Sequence, residues 1–207
     1  NTLTGEVKFI RAKIYADLIR MFGGVPIITK VFGLADKFDE KRNSYEECVD
    51  FIVRELNEAE EMVPPTRSSE NWGKVNKGAC RALKSEVLLY AASKLHDPAT
   101  EPGGPLYNYD KNTKWEDAAE AAKAVIDMPQ YSLQEVDNWE DYTKIFLDNN
   151  SEVIFGRPFH PDYGHPKSFD SYNSPSGPQP CNGWGINNPT HNFVNEFEMS
   201  NGKMINE

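Results

Sequence analysis

Cysteine is scarce: Cys48, Cys80 and Cys181 are the three among 207 residues. None stands in a C-x-x-C pair, and the odd count leaves at least one thiol unpaired, so cysteine usage leaves the compartment open. A chain of this length buries roughly 70% of its extended surface and needs no disulfide or metal staple. Long apolar runs are missing too; none approaches the ~20 residues that span a bilayer. Nothing at Asn1-Thr2-Leu3-Thr4 resembles a signal peptide, and Gly202 to Glu207 shows no terminal feature, so the chain reads as a piece of a longer protein. Positive charge is in short supply, with 22 Lys and Arg against 32 Asp and Glu and a formal net charge of -10. That surface repels phosphate backbones and anionic headgroups, which disfavours nucleic acid and membrane-surface binding and leaves neutral polymers open. There is also no Gly-rich phosphate loop, H-E-x-x-H, G-x-S-x-G or nucleotide-binding fingerprint.

What is present is helical over the first two-thirds. Val7, Ile10, Ile14, Leu18 and Met21 recur at spacings of three and four, and this stripe is expected to be the buried face of a helix from Gly5 to Met21. Gly23-Gly24 stops it. Ser44 and Glu47 form a capping box for a second helix, with Cys48, Phe51, Ile52, Leu56 and Ala59 on one face and Pro64-Pro65 at its end. A third helix runs from about Asn76 to Leu95, with Ala79, Leu83, Val87, Tyr90 and Ala91 facing inward. Thr113 and Glu116 predict another capping box before a fourth helix that carries Trp115, Ala118, Ala119, Ala122, Val125 and Ile126. A short fifth spans Trp139 to Phe146. The alanines of the third and fourth helices let their axes approach closely, as in a helical hairpin of tetratricopeptide type. The expected fold is therefore mainly α, with helix pairs packed against a loop-rich region with little β. Residues 1–150 form the helical scaffold. Residues 151–207 form a loop-rich part of the same domain, with a short strand at Glu152 to Phe155 and a short helix after Thr190.

The stretch from Arg157 to Asn188 is crowded with Pro, Gly, Ser, Asn and aromatics and has no periodicity. Irregular segments of this length inside a compact protein usually bind something. Tyr163, Phe169, Tyr172 and Trp184 lie there beside Asn173, Ser174, Gln179 and Asn182. A ring offers a flat apolar face to the C–H side of a pyranose, while amides and hydroxyls satisfy sugar hydroxyls. Trp72, Trp115 and Trp139, at or near helix starts, are expected to serve packing. His160, Asp162 and His165 fall within six residues, but prolines bracket them in a loop and no metal site is assigned. Glu46-Glu47, Glu60-Glu61 and the Glu196/Glu198 pair read as solvated surface, so no carboxylate pair suits glycoside hydrolysis.

Several stretches share one order with a known family. Gly5-Glu6-Val7-Lys8-Phe9-Ile10-Arg11-Ala12 through Tyr15, followed by Phe22-Gly23-Gly24-Val25-Pro26, resembles the SusD/RagB family's G-E-A-x-F-L-R-A-x-x-Y-x-x-L-V-x-x-F-G-G-V-P-L. Arg42, Ser44 and Glu47, then Gly73 to Ala79, follow its next two motifs, with Lys74 where Arg is common. Trp115 with Ala118-Ala119, Tyr131-Ser132-Leu133, Tyr142 with Ile145-Phe146, and Asn150 with Glu152 and Ile154-Phe155 continue the order. Gly183-Trp184-Gly185, Pro189-Thr190 and Phe197-Glu198-Met199 close it, with Asn201 where Asp is usual.

The resemblance implies tetratricopeptide-like helix pairs against a loop-rich half. It implies a non-catalytic glycan-binding protein of the bacterial outer-membrane surface, held by a lipid anchor outside this chain, with no cofactor. The implied partners are a polysaccharide or oligosaccharide and a SusC-like TonB-dependent transporter. Trp184, Tyr172, Tyr163, Phe169 and Asn173 are the expected glycan contacts. The rival expectation is a helical-repeat module that binds a protein and no glycan.

Overall fold

The computed structural model of the chain describes residues 1–100, 103–147, 149–156 and 189–204. Helix α1 (Thr2–Phe22) buries Gly5, Phe9, Ala12, Tyr15 and Ile19. Val7, Ile10, Ile14 and Met21, expected inside, are exposed; of that stripe only Leu18 packs against the core. The period was right and the phase was wrong. The cause is a charged contact: Lys8 and Arg11 of α1 both reach Glu55 of α2, with Arg11 Nε 2.7 Å from a carboxylate oxygen. A hydropathy reading places such residues in solvent, whereas here they bind the two helices together.

Helix α2 (Tyr45–Met62) starts at the expected capping box, the Glu47 N–H donating to Ser44 Oγ at 3.1 Å and the Ser44 N–H to the Glu47 carboxylate at 2.8 Å. Its Cys48, Phe51, Ile52, Leu56 and Ala59 are buried as expected, as is Cys80 of the next helix. Both thiols are free, and burial pushes that of Cys80 up to about 12. The junction between α1 and α2 explains the Phe22-Gly23-Gly24 motif. Gly23 has φ of 69°, and a Cβ there would strike the Leu106 carbonyl; one on Gly24 would strike the Asn43 carbonyl. Arg42 donates from Nε to the Gly24 carbonyl at 2.6 Å and from Nη2 to that of Phe22, so it caps the end of α1.

Helix α3 (Lys77–Ala92) begins where Asn76 Oδ1 accepts the Ala79 N–H at 2.8 Å, and a 3₁₀ turn, Lys94–His96, follows it. Tyr90, expected inside, is exposed. Helix α4 (Lys114–Ile126) buries Ala118 and Ala121. The capping box expected there does not form: Thr113 sits at ψ 5°, and its hydroxyl donates to Asp117 at 3.0 Å instead. Helix α5 (Trp139–Leu147) buries no residue, and Trp115 and Trp139 are more than half exposed rather than core. Helices pack in sequence, α1 on α2, α2 on α3 and α3 on α4. Arg81 of α3 ties three of them, donating to Glu60 of α2 at 2.7 Å and to the Ala124 carbonyl of α4 at 3.1 Å. Glu60, read as solvated, is thus an ion-pair partner.

The expected strand at Glu152 to Phe155 is absent. Its backbone groups are taken by a local turn, the Val153 N–H to the Asn150 carbonyl at 3.2 Å, and by the Asn76 side chain on the Ile154 carbonyl at 3.2 Å, which leaves no ladder to form. The chain falls into two compact units, Asn1–Arg157 and Pro158–Glu207. In the second, helix α6 (His191–Asn195) is capped by Thr190, and the Glu198–Met204 bridge is the sole β pairing among the described residues. The described residues are otherwise helix and loop, with no helix long and apolar enough to cross a membrane.

Candidate functional site

Beyond the start of α3 the chain returns twice to the same place. The segment after α4 brings Gln130 and Tyr131, and the segment after α5 brings 149–156; Ser132 and Ser151 join them, N–H to carbonyl at 3.1 Å and Oγ to Oγ at 2.9 Å. Tyr131 lies where α3 carries Gly78, so close that a Cβ at that position would overlap its phenol ring. Burial raises the Tyr131 phenol above its usual range, partly offset by hydrogen bonds from Asn76 and Gln130.

These segments enclose a cleft of about 140 Å³. Trp72 forms one wall, held after the 3₁₀ turn Ser69–Asn71, and its six-membered ring rests against Gly156, where a Cβ would stand 3.3 Å away. Sequence reading assigned Trp72 to packing; the residue is 37% exposed. Around it stand Asn76, Gln130 and Asn149, with Lys74 and Arg67 as the charged members. Arg67 is pinned by Nε to the Val75 carbonyl at 2.8 Å and by an ion pair with Glu6. Lys74 donates to Asn71 at 2.7 Å. No Asp or Glu is among the described residues of this lining. The cleft can stack a flat ligand and exchange hydrogen bonds with it.

None of the five expected contacts is brought to this cleft or away from it. Trp184, Tyr172, Tyr163, Phe169 and Asn173 lie outside the described residues, as do His160, Asp162, His165 and Cys181. Among the described residues no three metal-ligating side chains converge. What sequence reading missed is Trp72 with Asn76, Gln130, Tyr131 and Asn149. The one available signal was their family spacing, Gly73 to Ala79 and Tyr131 to Leu133, which names motifs and not their meeting point.

Residues 1–89 match the family model described as "Starch-binding associating with outer membrane". A SusD-like protein, P38, of Formosa agariphila is 31% identical over 87 residues, which is 42% of this chain and 17% of that protein. A solved SusD-like protein of Bacteroides fragilis superposes with a TM-score of 0.72 at 30% identity, covering 98% of this chain and 36% of that one. A structure named as a laminarin-binding SusD-like protein shares the fold at TM-score 0.54 and 24% identity, covering 73% of this chain and 29% of that one. The chain thus spans about a third or less of the length of these relatives.

Proposed function

Because this chain belongs to the SusD/RagB-like family, we propose that it binds a neutral polysaccharide or oligosaccharide without cleaving it, as part of a protein of the bacterial outer-membrane surface. The observation that carries this reading is the cleft in which the half-exposed Trp72 faces side-chain amides and no carboxylate. Stacking on the ring would supply most of the affinity and the amides the orientation. Trp184, Tyr172, Tyr163, Phe169 and Asn173 are proposed as further contacts on chemical grounds alone: rings and an amide in a stretch without periodicity. A lipid anchor outside this chain and delivery of the captured glycan to a SusC-like TonB-dependent transporter complete the proposal, both by family likeness. The -10 net charge is compatible with a neutral ligand and disfavours a polyanionic one.

Affinity-gel electrophoresis of the chain through a panel of soluble neutral polysaccharides, laminarin among them, tests the proposal. At least one glycan should retard it, and Trp72→Ala should remove most of that retardation while the helical circular-dichroism signal stays. Retardation indifferent to Trp72 would move the site elsewhere. Absence of retardation by every glycan, with the fold intact, would favour the rival helical-repeat interaction module.

A further inference from the structure

In the second unit the chain makes a tight turn over residues 198–204. The Gly202 N–H donates to the Met199 carbonyl at 2.8 Å, the Met199 N–H to the Lys203 carbonyl at 2.8 Å, and Glu198 pairs with Met204 at the base. Gly202 sits at φ 75°, and a Cβ built there would meet nothing within 4 Å. Glycine is therefore required by the backbone angle and not by crowding. The residue before it is Asn201, whose Oδ1 accepts the Lys203 N–H at 3.1 Å. Residues 196–203 are all exposed.

This turn sets an asparagine amide beside an unhindered backbone nitrogen. Bonding the Gly202 nitrogen to Asn201 Cγ closes a five-membered ring through the Asn201 Cβ, Cα and carbonyl carbon. Any other residue at 202 would crowd the attacking nitrogen with its Cβ, and glycine leaves it open. The Lys203 N–H on Oδ1 stabilises the charge that develops on that oxygen as the ring closes. One contact opposes the reaction: the Gly202 N–H must leave the Met199 carbonyl before it can give up its proton. That bond belongs to an exposed turn held by the one β bridge among the described residues, the kind of element that opens locally at small cost.

We infer that Asn201 is a site of spontaneous modification, deamidating through a cyclic imide formed with Gly202. Hydroxide takes the Gly202 amide proton, and the nitrogen attacks Asn201 Cγ to form the new C–N bond. Nδ2 takes a proton from water, the Cγ–Nδ2 bond breaks and ammonia leaves. Water then opens the ring. Breaking the bond from the Gly202 nitrogen to Cγ gives aspartate in an unaltered chain. Breaking its bond to the Asn201 carbonyl carbon gives isoaspartate, whose main chain runs through Cβ. The sum is amide plus water to carboxylate plus ammonium, and nothing is oxidised or reduced. Aspartate keeps an acceptor for the Lys203 N–H, strengthened by its charge, so the turn persists. Isoaspartate adds a main-chain atom and shifts Gly202 and Lys203 against Met199. Both products place a new negative charge in the turn that already carries Glu198. The change is irreversible, so this turn alters with the age of the protein.

The full chain, incubated in heavy-oxygen water at neutral and at alkaline pH, is sampled over time and cut with a protease that cleaves after glutamate. Cleavage after Glu198 frees residues 199–207 from the chain's other Asn-Gly pair, Asn182-Gly183. Mass spectrometry should find Asn201 gaining one heavy oxygen, faster at alkaline pH. Conversion should run at least tenfold faster than at Asn192, which is equally exposed but precedes Phe193. Chromatography should separate two products, one of them a substrate for isoaspartyl methyltransferase. The folded chain should react within tenfold of the rate in guanidinium. Asn201→Gln keeps an amide beside Gly202 but needs a six-membered ring, and should stop the conversion in this peptide. Gly202→Ala should slow it at least tenfold; alanine strains a backbone at φ 75°, and the Gln variant leaves that backbone unchanged. An amide at Asn201 as durable as that of Asn192, aspartate without isoaspartate, or a folded chain more than tenfold slower than the denatured one would each overturn the inference.

Discussion

Glu55 is buried between Lys8 and Arg11, and the Lys8 ammonium also lies 2.6 Å from Glu58 at the surface. Removing Glu55 leaves Arg11 without its carboxylate while Lys8 keeps Glu58, a loss of about 3 kcal/mol, the low end of the range for breaking a buried pair. Glu55→Ala should therefore lower the unfolding free energy by roughly that amount, read by urea denaturation. Glu58→Ala, whose carboxylate stands in water, should produce a far smaller change; equal effects of the two would show that the buried position of Glu55 confers nothing. His96 gives a pH dependence. Its folded-state affinity for a proton is depressed below the ordinary value of 6.5, burial being the main cause. The unfolded chain then binds the proton more readily, so this contribution is fully present above about pH 6.5 and is lost as pH falls through the folded value. Midpoints measured from pH 7.5 to 5 should decline, and His96→Phe should flatten that part of the decline. An unchanged slope in the variant would assign the loss to other groups.

Among the elements, α2 was legible in its cap and apolar stripe, though not in Glu55 and Glu60, and α1 less so. A capping box and an apolar stripe specify α2 by local chemistry, and both are present as read. The phase of α1 was not legible, because Lys8, Arg11 and Glu55 meet only in the folded chain, and the larger aliphatics at Val7, Ile10 and Ile14 outweigh Phe9, Ala12 and Tyr15 in any hydropathy count. Substitution separates the two phases. Phe9→Ala should cost about 3–5 kcal/mol as a buried ring is lost, whereas Ile10→Lys should stay within about 0.5 kcal/mol. The reverse order would restore the expected face. The two capping signals diverge in the same way. Ser44→Ala removes an accepted N–H bond and should cost about 1 kcal/mol, while Thr113→Ala, whose hydroxyl caps no backbone group, should leave the α4 region nearly unchanged in thermal melts. The missing strand has a similar origin: Glu152 to Phe155 has strand composition, but its carbonyl at Ile154 goes to the Asn76 side chain, a partner 78 residues away.

For the whole molecule, order along the chain and arrangement in space were legible to different degrees. The mainly helical class followed from periodicity, and the family from the order of its motifs. The candidate cleft did not, because Trp72, Asn76, Gln130, Tyr131 and Asn149 come from three separated segments that only tertiary structure joins. Its chemistry makes a prediction at this scale. Lys74 and Arg67 are its charged members, and Arg67 is already held by Glu6. A neutral glycan stacked on Trp72 releases no counterions, and exposed charges are screened within about 8 Å at physiological salt. The dissociation constant for a retained glycan should therefore change by less than about twofold between 50 and 500 mM NaCl, since neither stacking nor neutral hydrogen bonds respond to ionic strength at this level. An anionic glycan would behave differently: it would have to overcome the field of a -10 chain, would lean on Lys74, and would weaken severalfold over the same range. Isothermal titration at the two salt concentrations, repeated with Lys74→Gln, decides between them. A steep salt dependence that Lys74→Gln abolishes would mean that the ligand is charged and that its recognition begins at the lysine rather than at the ring.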